Sequence, residues 1–160
     1  MNERTLCFLV KIGTNGKITE VCLGMKKVRF GKGLWAGFGG KIAEGEKIEE
    51  AAQREVEEET GVKVKDIQKV AETDFRFPDK SDWSQYVHVY LADVWDGEIS
   101  ESEEMKPEWF PVGEVPYDLM WKDAKFWLPQ VLEGKKIKGV FTYGPDDEIK
   151  EKNVEVSNIF

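Results

Sequence analysis

The sequence predicts an α+β fold, a mixed β-sheet flanked by two or so helices, in a single domain spanning residues 1–160. Three observations carry this reading. Apolar, β-branched runs of strand length recur along the chain. Only 47–60 and 122–133 read as helices. With 160 residues, 41% of them hydrophobic, the chain is long enough to bury one real core.

The elements follow in order. TLCFLVKI (5–12) and ITEVCLGM (18–25) read as strands joined by TNGK, where Asn15-Gly16 can take positive φ and close a hairpin. Residues 26–45 form a glycine-rich loop with short extended pieces, among them LWAGFGGKIAEG. The helix over 47–60 stops at Gly61, a good C-cap residue. A long extended stretch follows over 62–77, then a polar loop around Pro78 and Asp79. In YVHVYLADVW (86–95), Val87, Val89 and Leu91 point one way, and Tyr86, His88 and Tyr90 the other. ISESEEMKPE reads as an acidic loop and WFPV as a short strand. The helix over 122–133 contains Pro129, which predicts a kink. KGVFTYG and EIKEKNVEV close the sheet as a hairpin turned at Gly144-Pro145-Asp146.

The formal net charge of −8 argues against a nucleic-acid-binding face, though a bound divalent cation can reverse the field locally. No run approaches the roughly 18 apolar residues of a membrane span, and MNERTLCFLV enters a strand with no cleavable signal pattern. Cys7 and Cys22 form no CxxC pair and read as reduced core thiols, which fits the cytoplasm. His88 is the only histidine, too few for a triad or a zinc site, and reads as structural or solvent-facing.

The stretch REVEEETG (54–61) poses the chemical question. Like charges three or four residues apart on a helix repel. At 100° per residue, Ile48, Ala51, Ala52 and Val56 define the buried face, and Glu55 and Glu59 fall in the middle of it. Glu58 lies at its edge and Glu57 points away. An inward carboxylate must be neutralised, paired or bound to metal. Arg54 can serve one such group but not three, and a cluster of oxygen ligands suits Mg²⁺ or Mn²⁺. The glycines of GFGGKIAEGE (37–46) let backbone approach a phosphate or metal closely.

These residues resemble the Nudix hydrolase signature, G-x5-E-x7-R-E-U-x-E-E-x-G-U with U aliphatic. It stands complete at Gly40, Glu46, Arg54, Glu55, Val56, Glu58, Glu59, Gly61 and Val62, a box over residues 40–62. LGMKKVRFGKGLWAGFGGK, SEEMKPEWF and LMWKDAKFWLP extend the likeness to the MutT-type branch that hydrolyses oxidised purine nucleoside triphosphates such as 8-oxo-dGTP. The resemblance implies an α/β/α sandwich around a mixed sheet. It also implies Mg²⁺-dependent hydrolysis (Mn²⁺ can substitute) of a nucleoside triphosphate to monophosphate and pyrophosphate. A monomer is the expected state, though nothing in the sequence bears on it. By position, the Gly39 carbonyl, Glu55, Glu58, Glu59 and Glu104 match metal ligands, and Glu46 and Arg54 match the pair anchoring loop to helix. Glu55 or Glu58 matches the general base. Trp121 and Asp123 match a stacking face and a reader of the purine edge, and Lys26 a substrate-contacting lysine. Ala36, Phe38, Gly39, Gly40 and Lys41 of the glycine loop fall at substrate-binding positions, and Phe30, Phe75 and Trp127 complete an apolar slot.

The chain departs from that branch at three polar base contacts. Ala36 replaces an asparagine, Ala124 the second of paired aspartates, and Phe8 a threonine. A site lacking hydrogen-bond partners loses discrimination. Two alternatives follow: a Nudix hydrolase of another diphosphate, such as ADP-ribose or a dinucleoside polyphosphate, and a non-catalytic nucleotide-binding module. The second would carry a degenerate box, and this box is intact.

Overall fold

Alternation along the first strand sets up two cores. Cys7 and Leu9 turn to one face, Phe8 and Val10 to the other, and all four are buried. In the computed structural model, which describes residues 2–29, 31–158 and 160, this strand is β1 (Asn2–Ile12). The chain continues through β2 (Ile18–Lys26), β3 (Trp35–Ala36), α1 (Ile48–Thr60), β4 (Lys63–Lys65), β5 (Gln68–Arg76) and β6 (Gln85–Ala92). It then forms β7 (Val94–Asp96), β8 (Met105–Pro111), α2 (Ala124–Leu132), β9 (Ile137–Tyr143) and β10 (Ile149–Val156).

The main sheet runs β10-β9-β5-β6-β1-β2-β3, with β8 also paired to β2; β4 and β7 form a separate ribbon. It is mixed, since β1–β6 and β5–β9 are parallel and the other pairs antiparallel. Ala52 and Val56 of α1 join Cys7, Leu9, Cys22 and Phe38 on one face. Trp127 and Leu128 of α2 join Phe8, Val10 and Val87 on the other. This is the expected α/β/α arrangement. Both cysteines are buried and free, and burial pushes their thiols up to about 12.

Several boundaries differ from the sequence reading, each for a local reason. Only Gly16 of the first hairpin takes positive φ (80°); Asn15 instead accepts the Lys17 N–H on its side-chain oxygen at 3.0 Å. The extended stretch 62–77 breaks at Asp66 (φ 51°), separating β4 from β5. β8 begins at Met105, inside the supposed acidic loop, because Met105–Pro111 pairs with β2 along its length. Both faces of β6 are covered, Val87 and Val89 by the α2-side core and Tyr90 by the α1-side core, so Val87, His88, Val89 and Tyr90 are all buried despite pointing alternately to opposite faces. Pro129 does fall inside α2.

His88 is structural. Its Nδ1 accepts from Lys69 Nζ at 2.9 Å and its Nε2 lies 2.9 Å from Glu3 Oε1. No helix among the described residues is long and apolar enough to cross a membrane.

Candidate active site

The site is built where β1 and β2 part. Their pairing runs from Ile12–Ile18 to Leu9–Cys22 and then stops, and the glycine loop fills the gap beyond. Trp35 and Ala36 pair with Met25 and Gly24, and Phe38 forms a bridge with Cys7. The Thr5 N–H donates to the Gly40 carbonyl at 2.9 Å, and Cys7 and Phe38 exchange bonds of 2.6 and 2.8 Å. The approach is so close that only glycine fits at position 39, where a Cβ would stand 1.9 Å from the Thr5 carbonyl oxygen.

Helix α1 crosses behind this loop. Gly61 caps it in the left-handed conformation (φ 85°), its N–H donating to the Glu57 carbonyl at 2.8 Å. Ala51, Ala52 and Val56 are fully buried, as the periodicity predicts, and Glu59 is buried among them at 2% exposure. The Glu55 side chain is 14% exposed and that of Glu58 58% exposed, matching their places inside and at the edge of the apolar arc.

Arg54 ties loop to helix. Its Nε and Nη2 donate to both oxygens of Glu46, at 2.8 and 3.0 Å, and Nη2 also donates to the Lys41 carbonyl at 3.0 Å. Nη1 reaches Glu55 at 2.9 Å and Glu58 at 3.2 Å. Glu46 in turn accepts the Ala43 N–H at 2.9 Å, and these bonds hold its carboxyl below the usual range.

Arg54 thus serves three carboxylates, Glu46, Glu55 and Glu58, where one was expected, because Nε and Nη2 face Glu46 while Nη1 faces the other two. It does not reach Glu59. Among the described residues, the Glu59 carboxyl accepts one bond, from the Gly39 N–H at 3.2 Å. Burial, then the Glu55 charge, pushes its pKa up to about 8, with Lys26 opposing and Glu104 adding to the rise. Glu55, Glu59, Glu104 and Lys26 therefore share one electrostatic neighbourhood. Among the described residues, no three acidic, histidine or cysteine side chains are already spaced to hold a metal ion. The donor chemistry nonetheless fits one. Glu59 is a buried carboxyl with no ion-pair partner among the described residues, and its neighbours are hard oxygen donors suited to a divalent ion.

On the opposite face lies a cavity of about 190 Å³. Gly39 and Gly40 line it while also touching the acidic cluster, since the Glu55 carboxyl lies against Gly40. Lys26, Ala36, Phe75, Trp121, Asp123 and Trp127 line it too. Phe8 and Ala124 join this wall, so all three departures noted above face the same space and leave it apolar there.

Two expected substrate contacts lie elsewhere. Phe38 is fully buried in the α1-side core, because its bridge with Cys7 puts both side chains on the same face. Lys41 is exposed and off the cavity, and it is its carbonyl that serves, as an acceptor for Arg54. Phe30 lies outside the described residues. Sequence reasoning missed Tyr143, Phe77 and Arg4, which also line the cavity. For Tyr143 the one available signal was strand alternation with Phe141.

The chain belongs to the Nudix family, whose domain profile, NUDIX domain, matches residues 5–131. Nudix hydrolases generally need a divalent metal. The chain is 42% identical over 136 residues to a Danio rerio protein named oxidized purine nucleoside triphosphate hydrolase, covering 85% of this chain and 86% of the relative. The Mus musculus protein of that name is 43% identical over 130 residues, covering 81% and 83%. A MutT protein of Bacillus halodurans superposes with a TM-score of 0.80 at 28% identity, covering 97% and 98% of the two chains.

Proposed function

We propose that this protein is a Mg²⁺-dependent pyrophosphohydrolase of purine nucleoside triphosphates, oxidised purines such as 8-oxo-dGTP among them, releasing monophosphate and pyrophosphate. One observation carries the reading: Gly39, whose N–H donates to the buried Glu59 carboxyl, and Gly40, which lies against Glu55, both line the aromatic cavity. The names of the vertebrate relatives support the substrate class. Free buried thiols support a cytoplasmic enzyme, and we read it as a monomer.

In this reading the base stacks against Trp121 in the cavity and the polyphosphate crosses the Gly39–Gly40 backbone toward α1. The Gly39 carbonyl, Glu55, Glu58, Glu59 and Glu104 would hold the Mg²⁺, which when bound neutralises phosphate oxygens and acidifies water. Arg54 fixes Glu55 and Glu58 against the loop. Either of these carboxylates accepts the proton of the attacking water. Lys26, lining the cavity near Glu59, adds positive charge for the phosphates.

The apolar wall at Phe8, Ala36 and Ala124 favours a broader range of bases than the branch pattern implies. The test is pyrophosphate release across 8-oxo-dGTP, dGTP, dATP, 2-hydroxy-dATP, pyrimidine triphosphates and ADP-ribose, with and without Mg²⁺. Turnover of purine triphosphates that requires Mg²⁺ is the expected result; turnover of ADP-ribose alone overturns the assignment.

A further inference from the structure

Asp123 sits at the start of α2, in the position of an N-cap, but its side chain does not cap the helix. It turns instead into a closed set of bonds. Oδ1 accepts the Tyr143 hydroxyl at 2.6 Å, and Oδ2 accepts the Trp127 Nε1–H at 2.8 Å. The Asp123 backbone N–H donates to the Tyr143 oxygen at 3.1 Å. The phenol thus receives one hydrogen and gives its own to Oδ1, which leaves it a single orientation. Its ring is held as firmly, stacked on Phe77 with centroids 4.8 Å apart and planes 5° apart.

Asp123 is 5% exposed and lines the cavity, and no cation pairs with it among the described residues. Burial pushes its carboxyl up from the usual range, and the bonds from Trp127 and Tyr143 draw it back. The protonation state decides what the group can read. An ionised carboxylate only accepts hydrogen bonds, whereas a protonated one presents a donor. A carboxylate has about four acceptor positions, and the two protein donors leave some of them for a ligand.

Building on the purine-site reading above, we propose that Tyr143 is a positioning residue. Its hydroxyl holds Asp123 as a fixed acceptor at the cavity wall, so that the site selects a base whose edge carries hydrogen-bond donors. With the cavity lining apolar at Phe8, Ala36 and Ala124, the Asp123 carboxylate carries a large share of the discrimination.

The test is Tyr143→Phe, which keeps the ring stacked on Phe77 and removes one oxygen. Binding of two deoxynucleoside monophosphates to the full chain is measured by titration calorimetry, with melting temperature as the fold control. One is a guanine nucleotide, with a ring N–H and an exocyclic amine. The other carries unsubstituted purine, with no donor on that edge. Wild type is expected to prefer guanine, and the variant to lose about tenfold of that preference, with unsubstituted purine binding within about twofold of wild type. Should Tyr143→Phe fail to fold, Trp127→Phe removes the other donor and is expected to move the ratio the same way. A folded variant with an unchanged ratio overturns the proposal and leaves the bond as a brace between α2 and β9. A wild type that binds both bases equally overturns it too. A wild type with the expected preference that releases no pyrophosphate supports this assignment while defeating the hydrolase reading.

Discussion

Gly40 lies against Glu55 so closely that a Cβ there would stand 2.6 Å from the carboxyl carbon and 2.7 and 2.8 Å from its oxygens. Its neighbour Gly39 is crowded by something that cannot move, the backbone of Thr5 at 1.9 Å. Adjacent glycines therefore have different reasons to be glycine. One makes room for a functional side chain, and the other for strand pairing.

Alanine at the two positions should separate those reasons. Gly40→Ala displaces the end of a flexible side chain, so it is expected to fold with little loss of melting temperature while kcat falls on the order of 10²-fold. Gly39→Ala pushes two backbones apart and is expected to destabilise the fold by about 2 kcal/mol or more. Urea unfolding and steady-state kinetics on both variants check this. Equal stability losses would remove the distinction.

Glu59 should trade stability for function. Replacing a buried carboxylate with its neutral isostere removes a desolvation cost, so metal-free Glu59→Gln is expected to melt higher than wild type at pH 8. Its kcat is expected to fall on the order of 10²-fold or more, as is that of Glu55→Gln. Near-normal turnover in purified Glu59→Gln would remove α1 from the mechanism.

The same group sets a pH dependence with a definite sign. Its folded pKa, about 8, stands above the ordinary 4.5. The folded state thus holds this proton over a range where the unfolded chain has released it, and the stability it contributes is present below about pH 4.5 and lost as pH rises toward 8. Metal-free melting curves are expected to decline over that window more in wild type than in Glu59→Gln. Mg²⁺ is expected to raise the wild-type melting temperature most at the alkaline end, where the carboxylate is free to bind it.

Arg54→Lys tests the fork. Lysine keeps the charge but cannot donate in a bidentate pair to Glu46 while also reaching Glu55, Glu58 and the Lys41 carbonyl. Loss of about 1–3 kcal/mol of stability and at least tenfold in kcat/KM is expected, by denaturant unfolding and kinetics. A variant unchanged in both would show that the loop is held without it.

Ala36→Asn addresses selectivity, since it puts an amide back on the apolar wall. The ratio of kcat/KM for 8-oxo-dGTP over dGTP is expected to change by about tenfold, the size of one added polar reader. No change would locate discrimination elsewhere.

The α1 part of the site was legible because helical periodicity is local. Glu55 and Glu59 fall in the apolar arc by spacing alone, and the structure buries both. The spacing of Glu46 and Arg54 likewise belongs to one loop–helix unit, and their bidentate pair forms within it. Phe38 and Lys41 belong to the same unit, yet neither lines the cavity. Which way Phe38 turns is decided by its bridge with Cys7 on a strand far back in the chain.

The cavity was not legible in this way. Asp123 meets Tyr143 twenty positions later only because β9 returns beside β5 and carries its last residue under α2. No local pattern announces that hydroxyl. Periodicity and residue spacing therefore settle which side chains one segment presents together. Pairing between distant strands settles which segments share a wall, and here that pairing sets an acidic helix and an aromatic cavity on either side of two glycines.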